Sequence, residues 1–271
     1  MLAIHPDAPK RPIGVFDSGV GGLSILKALR VELPHEDFVY VADSAHAPYG
    51  EREASFVVQR SVAIARYLLE QDCKALVVAC NTATAAAIHL LRQAHGEWPI
   101  IGVEPALKPA VTLSQTKSIG VLATRGTLMS QKFQTLKDAL ATQAVFICQA
   151  CDGLADAIER DETTKVIALC DHYTSAIGQF GSTNGHIDTL VLGCTHYPFV
   201  SQHLRTLVGP EVHLVDNGES VARQVRRMVL PTAAMGQNGQ LRLYSTGDPA
   251  MLSAAANRWL GLTDAAISLQ I

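Results

Sequence analysis

Two cysteines stand at matching places in two similar halves of the sequence. Cys80 ends the apolar run Ala75–Cys80 and precedes Asn and Thr, while Cys194 ends Leu190–Cys194 and precedes Thr and His. If the halves face each other, one thiolate can remove a proton from a carbon while the opposite thiol returns one to the other face. A lone free cysteine is more often a small buried hydrophobe. The matched pair favours acid–base catalysis that inverts a stereocentre.

Thiols need activation for this chemistry, because a free cysteine titrates near ~8.5 and is mostly protonated at neutral pH. Asp17 is the candidate partner on one side, and His196, two residues after Cys194, is the candidate on the other. Asp17 also begins a glycine-rich loop, Asp17–Leu23, which follows a predicted strand and opens a predicted helix. Such a loop suits a bound anion, a carboxylate included, or serves as a tight turn. Its G-x-G-G pattern supports a dinucleotide site only weakly.

These residues need elements that bring them together, and the hydrophobic pattern predicts an α/β fold. Short apolar runs that end at a polar residue are typical of strands buried on both faces. The predicted strands are Ile13–Asp17, Phe38–Asp43, Ala75–Cys80, Ile100–Glu104, Ile119–Thr124, Val145–Ala150, Leu190–Cys194 and His213–Asp216. Helical periodicity predicts helices over Gly22–Leu33, Ser55–Glu70, Ser130–Leu140 and Glu219–Leu230. The alternation, repeated in the two halves, indicates two similar lobes, each a mainly parallel sheet flanked by helices. If the lobes face each other, the active site lies in the cleft between them.

The four-strand pattern occurs twice, so we assign two lobes. The first comprises residues 1–106 plus 217–271, and the second comprises residues 107–216. In open α/β sheets, ligands bind beyond the carboxyl ends of the strands, which makes the residues there the candidates for a site. They are Asp17, Ser18, Asp43, Ser44, Cys80, Asn81, Thr82, Glu104, Thr124, Cys194, Thr195, His196, Asp216 and Asn217. This set holds thiols, hydroxyls, amides and carboxylates, but neither lysine nor arginine.

Composition excludes several classes of protein. The 271 residues are 48% apolar and 17% charged, which rules out extensive disorder, and a net charge of −3 argues against a broad basic face for nucleic acid. No apolar run reaches the ~18–20 residues of a membrane span, and no secretory signal is visible. Six cysteines are too sparse for a disulfide scaffold, and Cys148 and Cys151 lack the second pair of a zinc site. We expect a cytoplasmic protein with free thiols and without a metal, membrane or nucleic-acid partner.

Short motif blocks follow one another along nearly the whole chain. They are Gly14–Leu23 (GVFDSGVGGL), Tyr40–Ser44 (YVADS), Pro48–Gly50 (PYG), Ala79–Ala83 (ACNTA), Gly102–Ala106 (GVEPA), Leu192–Pro198 (LGCTHYP) and Val215–Asn217 (VDN). In these blocks the sequence resembles the cofactor-independent glutamate racemases of bacterial cell-wall synthesis, within the aspartate/glutamate racemase superfamily. The resemblance implies interconversion of L- and D-glutamate without a cofactor, which supplies D-glutamate for peptidoglycan. It also allows a homodimer.

The resemblance implies roles for individual residues. Cys80 and Cys194 match the family's two catalytic thiols, and Asp17, Glu159 and His196 match the side chains that assist them. The segments that hold the amino-acid substrate match Asp17, Ser18, Tyr49, Gly50, Asn81, Thr82, Thr124, Thr195 and His196.

One stretch departs from the family, and three alternatives stay open. Asp152 and Asp156 stand where many members have proline, so we expect a different backbone before Glu159.

One methylene in a pocket is worth only ~1–3 kcal/mol, so aspartate or another small amino acid is an alternative substrate. A non-catalytic two-lobed binding protein and a hydrolase or lyase that uses one cysteine are the others. Replacing each cysteine separately discriminates the last of these.

Overall fold

The computed structural model describes residues 11–229 and 238–271, in which parallel strands alternate with helices. The strands are β1 (Ile13–Asp17), β2 (Phe38–Ala42), β3 (Ala75–Val78), β4 (Ile100–Gly102), β5 (Ser118–Ala123), β6 (Val145–Ala150), β7 (Thr189–Gly193), β8 (His213–Val215), β9 (Leu241–Ser245) and β10 (Ile267–Ser268). The helices are α1 (Leu23–Glu32), α2 (Ala54–Glu70), α3 (Asn81–Ala94), α4 (Leu107–Leu113), α5 (Arg125–Met129), α6 (Gln131–Asp138), α7 (Leu154–Glu159), α8 (Thr163–Ile177), α9 (Ser201–Val208), α10 (Gly218–Val229) and α11 (Pro249–Leu260). Short 3-10 helices lie at Ser44–His46, Tyr49–Glu51 and Tyr197–Val200.

Two separate parallel sheets form the framework. The first has the strand order β10–β9–β2–β1–β3–β4, and the second has the order β6–β5–β7–β8. The order β2–β1–β3–β4 is therefore repeated as β6–β5–β7–β8. The chain leaves the first sheet between β4 and α4 and returns between β8 and α10, which packs against α1. The prediction of two similar α/β lobes, each a parallel sheet flanked by helices, is confirmed, while the exact lobe boundaries stay a prediction.

Helices cover both faces of each sheet, which explains why the strands read as continuous apolar runs. In the first sheet, Ile13 of β1 packs in one core with Leu26 of α1 and Val225 of α10. Phe16, on the other face of β1, packs with Ile64 of α2. In the second sheet, α7, α8 and α9 cover one face, and α4 and α6 cover the other. Among the described residues, no helix has the length and hydropathy needed to cross a membrane.

All eight predicted strands form, but several end one or two residues early. β2 ends at Ala42, one residue before Asp43, and β3 ends at Val78, two residues before Cys80, which caps α3. The apolar pattern misses β9, since its LRLYS sequence is only partly buried, and it misses the two-residue β10. The predicted helix Glu219–Leu230 begins at Gly218, and Leu230, like residues 1–10, lies outside the described residues.

Candidate active site

The first thiol lies where β3 passes into α3. Cys80 is the N-terminal capping residue of α3, and its Sγ accepts a hydrogen bond from the Ala83 N–H at 3.4 Å. Its thiol points toward Ser18 Oγ, 3.9 Å away, and only 5% of the residue is exposed. Burial and the charge of Asp17 raise the pKa of Cys80 well above its ordinary value. Cys80 therefore rests as a protonated thiol, with a helix N-terminus ready to stabilise the thiolate.

Asp17, at the end of β1, carries a buried carboxyl group with a raised pKa. It is fully buried, and its Oδ2 accepts a hydrogen bond from the Gly22 N–H at 2.7 Å. Its Oδ1 has no hydrogen-bond partner in the part of the chain that the structure describes. Burial raises the pKa of Asp17 to about 6; His196 opposes this rise and Glu159 adds to it. A carboxyl group with this pKa can hold or release a proton under physiological conditions.

The second thiol lies beyond β7 in a chain of three side chains. Cys194 Sγ is 3.6 Å from His196 Nδ1, and His196 Nε2 is 2.7 Å from Glu159 Oε2. Burial lowers the pKa of His196, but the hydrogen bonds to Cys194 and Glu159 raise it more, so it lies well above its ordinary value. The imidazole thus keeps its proton beside the thiol, an arrangement that stabilises a thiolate.

Glu159 reaches from the end of α7 in the second lobe to the first lobe. Its carboxylate accepts hydrogen bonds from the Val20 N–H at 2.8 Å and from Ser44 Oγ at 3.2 Å. A Cβ on Gly19 would lie 2.3 Å from Glu159 Oε2, and a Cβ on Gly21 would lie 2.3 Å from His196 Nδ1. The glycine-rich loop therefore makes room for the Glu159–His196 pair, and the anion at its Val20 N–H is the carboxylate of Glu159.

The departure from the family pattern before Glu159 leaves that side chain pointed into the site. Asp152 pairs with Arg125, and Asp156 pairs with Arg160 at 2.9 Å, both at the surface. These aspartates are held by surface arginines, so the two positions do not turn Glu159 away.

A row of hydroxyls joins the two lobes. Thr82 Oγ1, on α3, lies 3.0 Å from Thr124 Oγ1, which caps α5 in the second lobe. Thr127 completes the row, since Thr124 Oγ1 donates to its Oγ1 at 2.9 Å. The sequence pattern does not identify Thr127; its only signal is its place in the first turn of the helix that the candidate Thr124 caps. Asn81 donates from Nδ2 to the Val103 carbonyl at 3.4 Å, and its buried Oδ1 has no partner within residues 11–229 and 238–271.

Contacts with neighbouring segments hold three of the predicted substrate residues, Tyr49, Gly50 and Thr195. The Tyr49 ring is buried, and its hydroxyl donates to Asp43. A Cβ on Gly50 would lie 2.7 Å from Thr124 Cβ, so this segment contacts the second lobe closely. Thr195 is buried, and its main-chain carbonyl accepts a hydrogen bond from Ser24 Oγ at 2.8 Å.

Other strand-end residues serve local structure. Glu104 pairs with Lys132 at 2.8 Å, and Asp216 accepts a hydrogen bond from the Gly218 N–H at 2.8 Å. Cys148 is exposed on β6, whereas Cys151 is buried. No group of three or more potential metal ligands occurs in the described ranges.

A second cavity, of about 710 Å³, lies between α1 and α10 on one side and the segment 192–202 of the second lobe on the other, and Trp259 of α11 also lines it. It touches Cys194 and Thr195 from one side, but Asp17, Cys80 and His196 do not line it. We therefore assign the candidate active site to the thiol cluster, where the acid–base groups meet.

Comparison with known proteins gives one consistent result. The model of the Asp/Glu/Hydantoin racemase family matches residues 23–225. A glutamate racemase of Cupriavidus pinatubonensis is 47% identical over 256 residues, which cover 93% of this chain and 92% of that protein. The crystal structure of a Bacillus anthracis glutamate racemase superposes with a TM-score of 0.85 at 31% identity, covering 96% of this chain and 98% of that chain. The crystal structure of Escherichia coli glutamate racemase in complex with L-glutamate and the activator UDP-MurNAc-ala gives a TM-score of 0.79 at 28% identity. The match covers 96% of this chain and 97% of that chain.

Proposed function

Because the chain belongs to the Asp/Glu/Hydantoin racemase family, we propose that it interconverts L- and D-glutamate by proton transfer between two thiols. The family's racemases are isomerases that work without pyridoxal phosphate. The observation that carries the proposal is the pair of buried thiols, Cys80 and Cys194, each with its own acid–base partners. The two are near enough that the charge of Cys194 adds to the raised pKa of Cys80.

The two thiols have different neighbours. In the proposed reaction, Cys194 acts beside the His196–Glu159 pair, and as a thiolate it removes the α-proton of one enantiomer. The protonated Cys80 then delivers a proton to the opposite face of the same carbon. The other enantiomer requires the reverse protonation states, and Asp17, with a pKa of about 6, supports proton exchange beside Cys80.

The unpartnered buried oxygens of Asp17 and Asn81 and the hydroxyl row suit an amino acid. Asp17 Oδ1 and Asn81 Oδ1 are acceptors that lack hydrogen-bond partners among the described residues, so they can receive an ammonium group. In the hydroxyl row, Thr124 donates to Thr127 and so accepts from Thr82, which leaves the Thr127 hydroxyl hydrogen to donate to a carboxylate. Fixed dipoles of this kind, in a site closed to water, also stabilise the carbanion that forms at Cα.

The proposal extends to the setting of the reaction. We infer that the D-glutamate supplies peptidoglycan synthesis in the cytoplasm, where the thiols stay reduced; all cysteines are free in the structure. A homodimer is the proposed assembly. The alternative substrate is aspartate or another small amino acid on the same scaffold.

Proton NMR of L-glutamate in D₂O, followed together with circular dichroism of the amino acid, tests the reaction. Without added cofactor, we expect the α-proton signal and the optical activity to disappear together. L-aspartate, run in parallel, tests the alternative substrate, and exchange with aspartate alone would contradict the glutamate assignment.

The two-thiol mechanism has its own test. Cys80→Ser and Cys194→Ser should each abolish racemisation, because each removes the acid or base on one face. Full activity in either variant would reject the two-base role and favour a reaction that uses one cysteine. Cys148→Ser, at an exposed position on β6, is the matched control and should keep wild-type activity.

A further inference from the structure

A buried carboxylate outside the thiol cluster holds one of the candidate substrate segments. Asp43, which follows β2, is fully buried. Its Oδ2 accepts hydrogen bonds from Arg60 Nε at 3.0 Å and from the Tyr49 hydroxyl. Its Oδ1 accepts from Arg60 Nη2 at 2.9 Å and from Thr246 Oγ1 at 2.8 Å, and His46 Nδ1 lies 3.0 Å away. This carboxylate therefore ties the Tyr49 segment to α2 and to the end of β9.

Arg60 keeps the carboxylate charged and oriented. Burial raises the pKa of Asp43, but hydrogen bonds from Arg60, Tyr49 and Thr246 lower it more, so the pKa lies below its usual value. The Arg60 side chain is 12% exposed, and its Nη1 also donates to the main-chain oxygen of Ile271 at 3.0 Å. A planar guanidinium with two bonds to one carboxylate fixes direction as well as distance.

Tyr49 connects this network to the cleft. Its ring is 1% exposed, so the hydroxyl bond to Asp43 fixes a side chain that has no room to turn. The next residue, Gly50, packs against Thr124, where a Cβ would approach to 2.7 Å. The Gly50 carbonyl oxygen faces Gly126, at 3.1 Å from the position of a Cβ there. The main chain of Gly50 is thus held between the Asp43 network and the hydroxyl row.

We propose that Asp43 and Arg60 are positioning residues for racemisation, acting through Tyr49 to hold the main chain of Gly50 beside Thr124. The inference rests on the proposed function and adds residues to it. The hydrogen bonds of Asp43 and Arg60 in the described chain reach neither thiol. Their loss should therefore weaken substrate binding more than proton transfer.

Tyr49→Phe tests this link most directly, because it removes the hydroxyl and keeps the buried ring. We expect the KM for glutamate to rise about tenfold, the size expected for one hydrogen bond to a charged group, with a smaller change in kcat. Arg60→Met should raise KM further. Arg60→Lys should give a KM between those of the wild type and Arg60→Met, since lysine keeps the charge but cannot make the two parallel hydrogen bonds of the guanidinium. Tyr49→Phe decides the question if Arg60→Met fails to fold.

Lys74→Met is the matched control. Lys74, which precedes β3, and Glu36, which lies before β2, form a buried ion pair at 2.6 Å, with side chains 8% and 2% exposed, at the opposite edge of the first sheet. Breaking that pair should lower the melting temperature without moving KM, whereas the Tyr49 and Arg60 variants should move both. Wild-type KM in Tyr49→Phe and Arg60→Met would make the network purely structural and overturn the inference. Absence of glutamate racemisation by the unmodified protein would instead refute the proposed function, and the positioning role with it.

Discussion

Replacing Gly21 by alanine should separate His196 from its partners. A Cβ at Gly21 would lie 2.3 Å from His196 Nδ1, whereas ordinary contacts begin at 3.4 Å, so the imidazole must retreat by about 1 Å. The ring is held on both sides, by Cys194 at 3.6 Å and by Glu159 at 2.7 Å. A displacement of about 1 Å in a catalytic site lowers the rate by about 100-fold. That factor corresponds to about 2.7 kcal/mol in the activation barrier.

The assay is kcat for L-glutamate and for D-glutamate by circular dichroism, with far-ultraviolet thermal unfolding to establish that the variant folds. Gly96→Ala is the matched control, since Gly96 is exposed and a Cβ there would meet its nearest neighbour, the Arg92 carbonyl, at 4.0 Å. The control should keep wild-type kcat. A folded Gly21→Ala protein with wild-type kcat in both directions would refute the reasoning that the imidazole must stay in place.

Asp17 and the hydroxyl row give two further tests. Because burial raises the pKa of Asp17 from 3.8 to about 6, the stability that this carboxyl contributes is full below pH 3.8 and is lost as pH rises through about 6. Between pH 4 and pH 8 the free energy of unfolding in urea should therefore fall by about 2.4 kcal/mol more in the wild type than in Asp17→Asn, and parallel pH curves would contradict the raised pKa. Thr127→Val should raise the KM for glutamate about tenfold, because it removes a buried hydroxyl. An unchanged KM would exclude the hydroxyl row from substrate binding.

The sequence predicts the thiol cluster because parallel strands end at one edge of their sheet. Asp17 is the last residue of β1, and Cys80 lies two residues beyond the end of β3. Because β1 pairs with β3, the two side chains come close together. His196 is only two residues from Cys194 and shares its turn. For these residues, local pattern and sheet topology suffice.

The remaining groups depend on contacts that no local pattern encodes. Glu159 stands at the end of a six-residue helix, and its partners Val20 and Ser44 are more than one hundred residues away along the chain. Only the family resemblance indicates it. Arg60 lies on α2 among other polar residues, so its bond to Asp43 becomes visible only when β2 and α2 are packed together.

Both lobes carry the same strand order, yet their thiols stand beside unlike groups, Ser18 and Asp17 on one side and His196 with Glu159 on the other. In the proposed reaction the substrates are mirror images with equal free energies in water, so their equilibrium constant is unity. The ratio kcat/KM must then be identical in the two directions, whatever residues flank each thiol. Unlike flanking groups can make kcat larger for one enantiomer than for the other only if KM is larger by the same factor. The different neighbours of the two thiols can therefore give the two enantiomers different KM values, while kcat/KM stays equal for both.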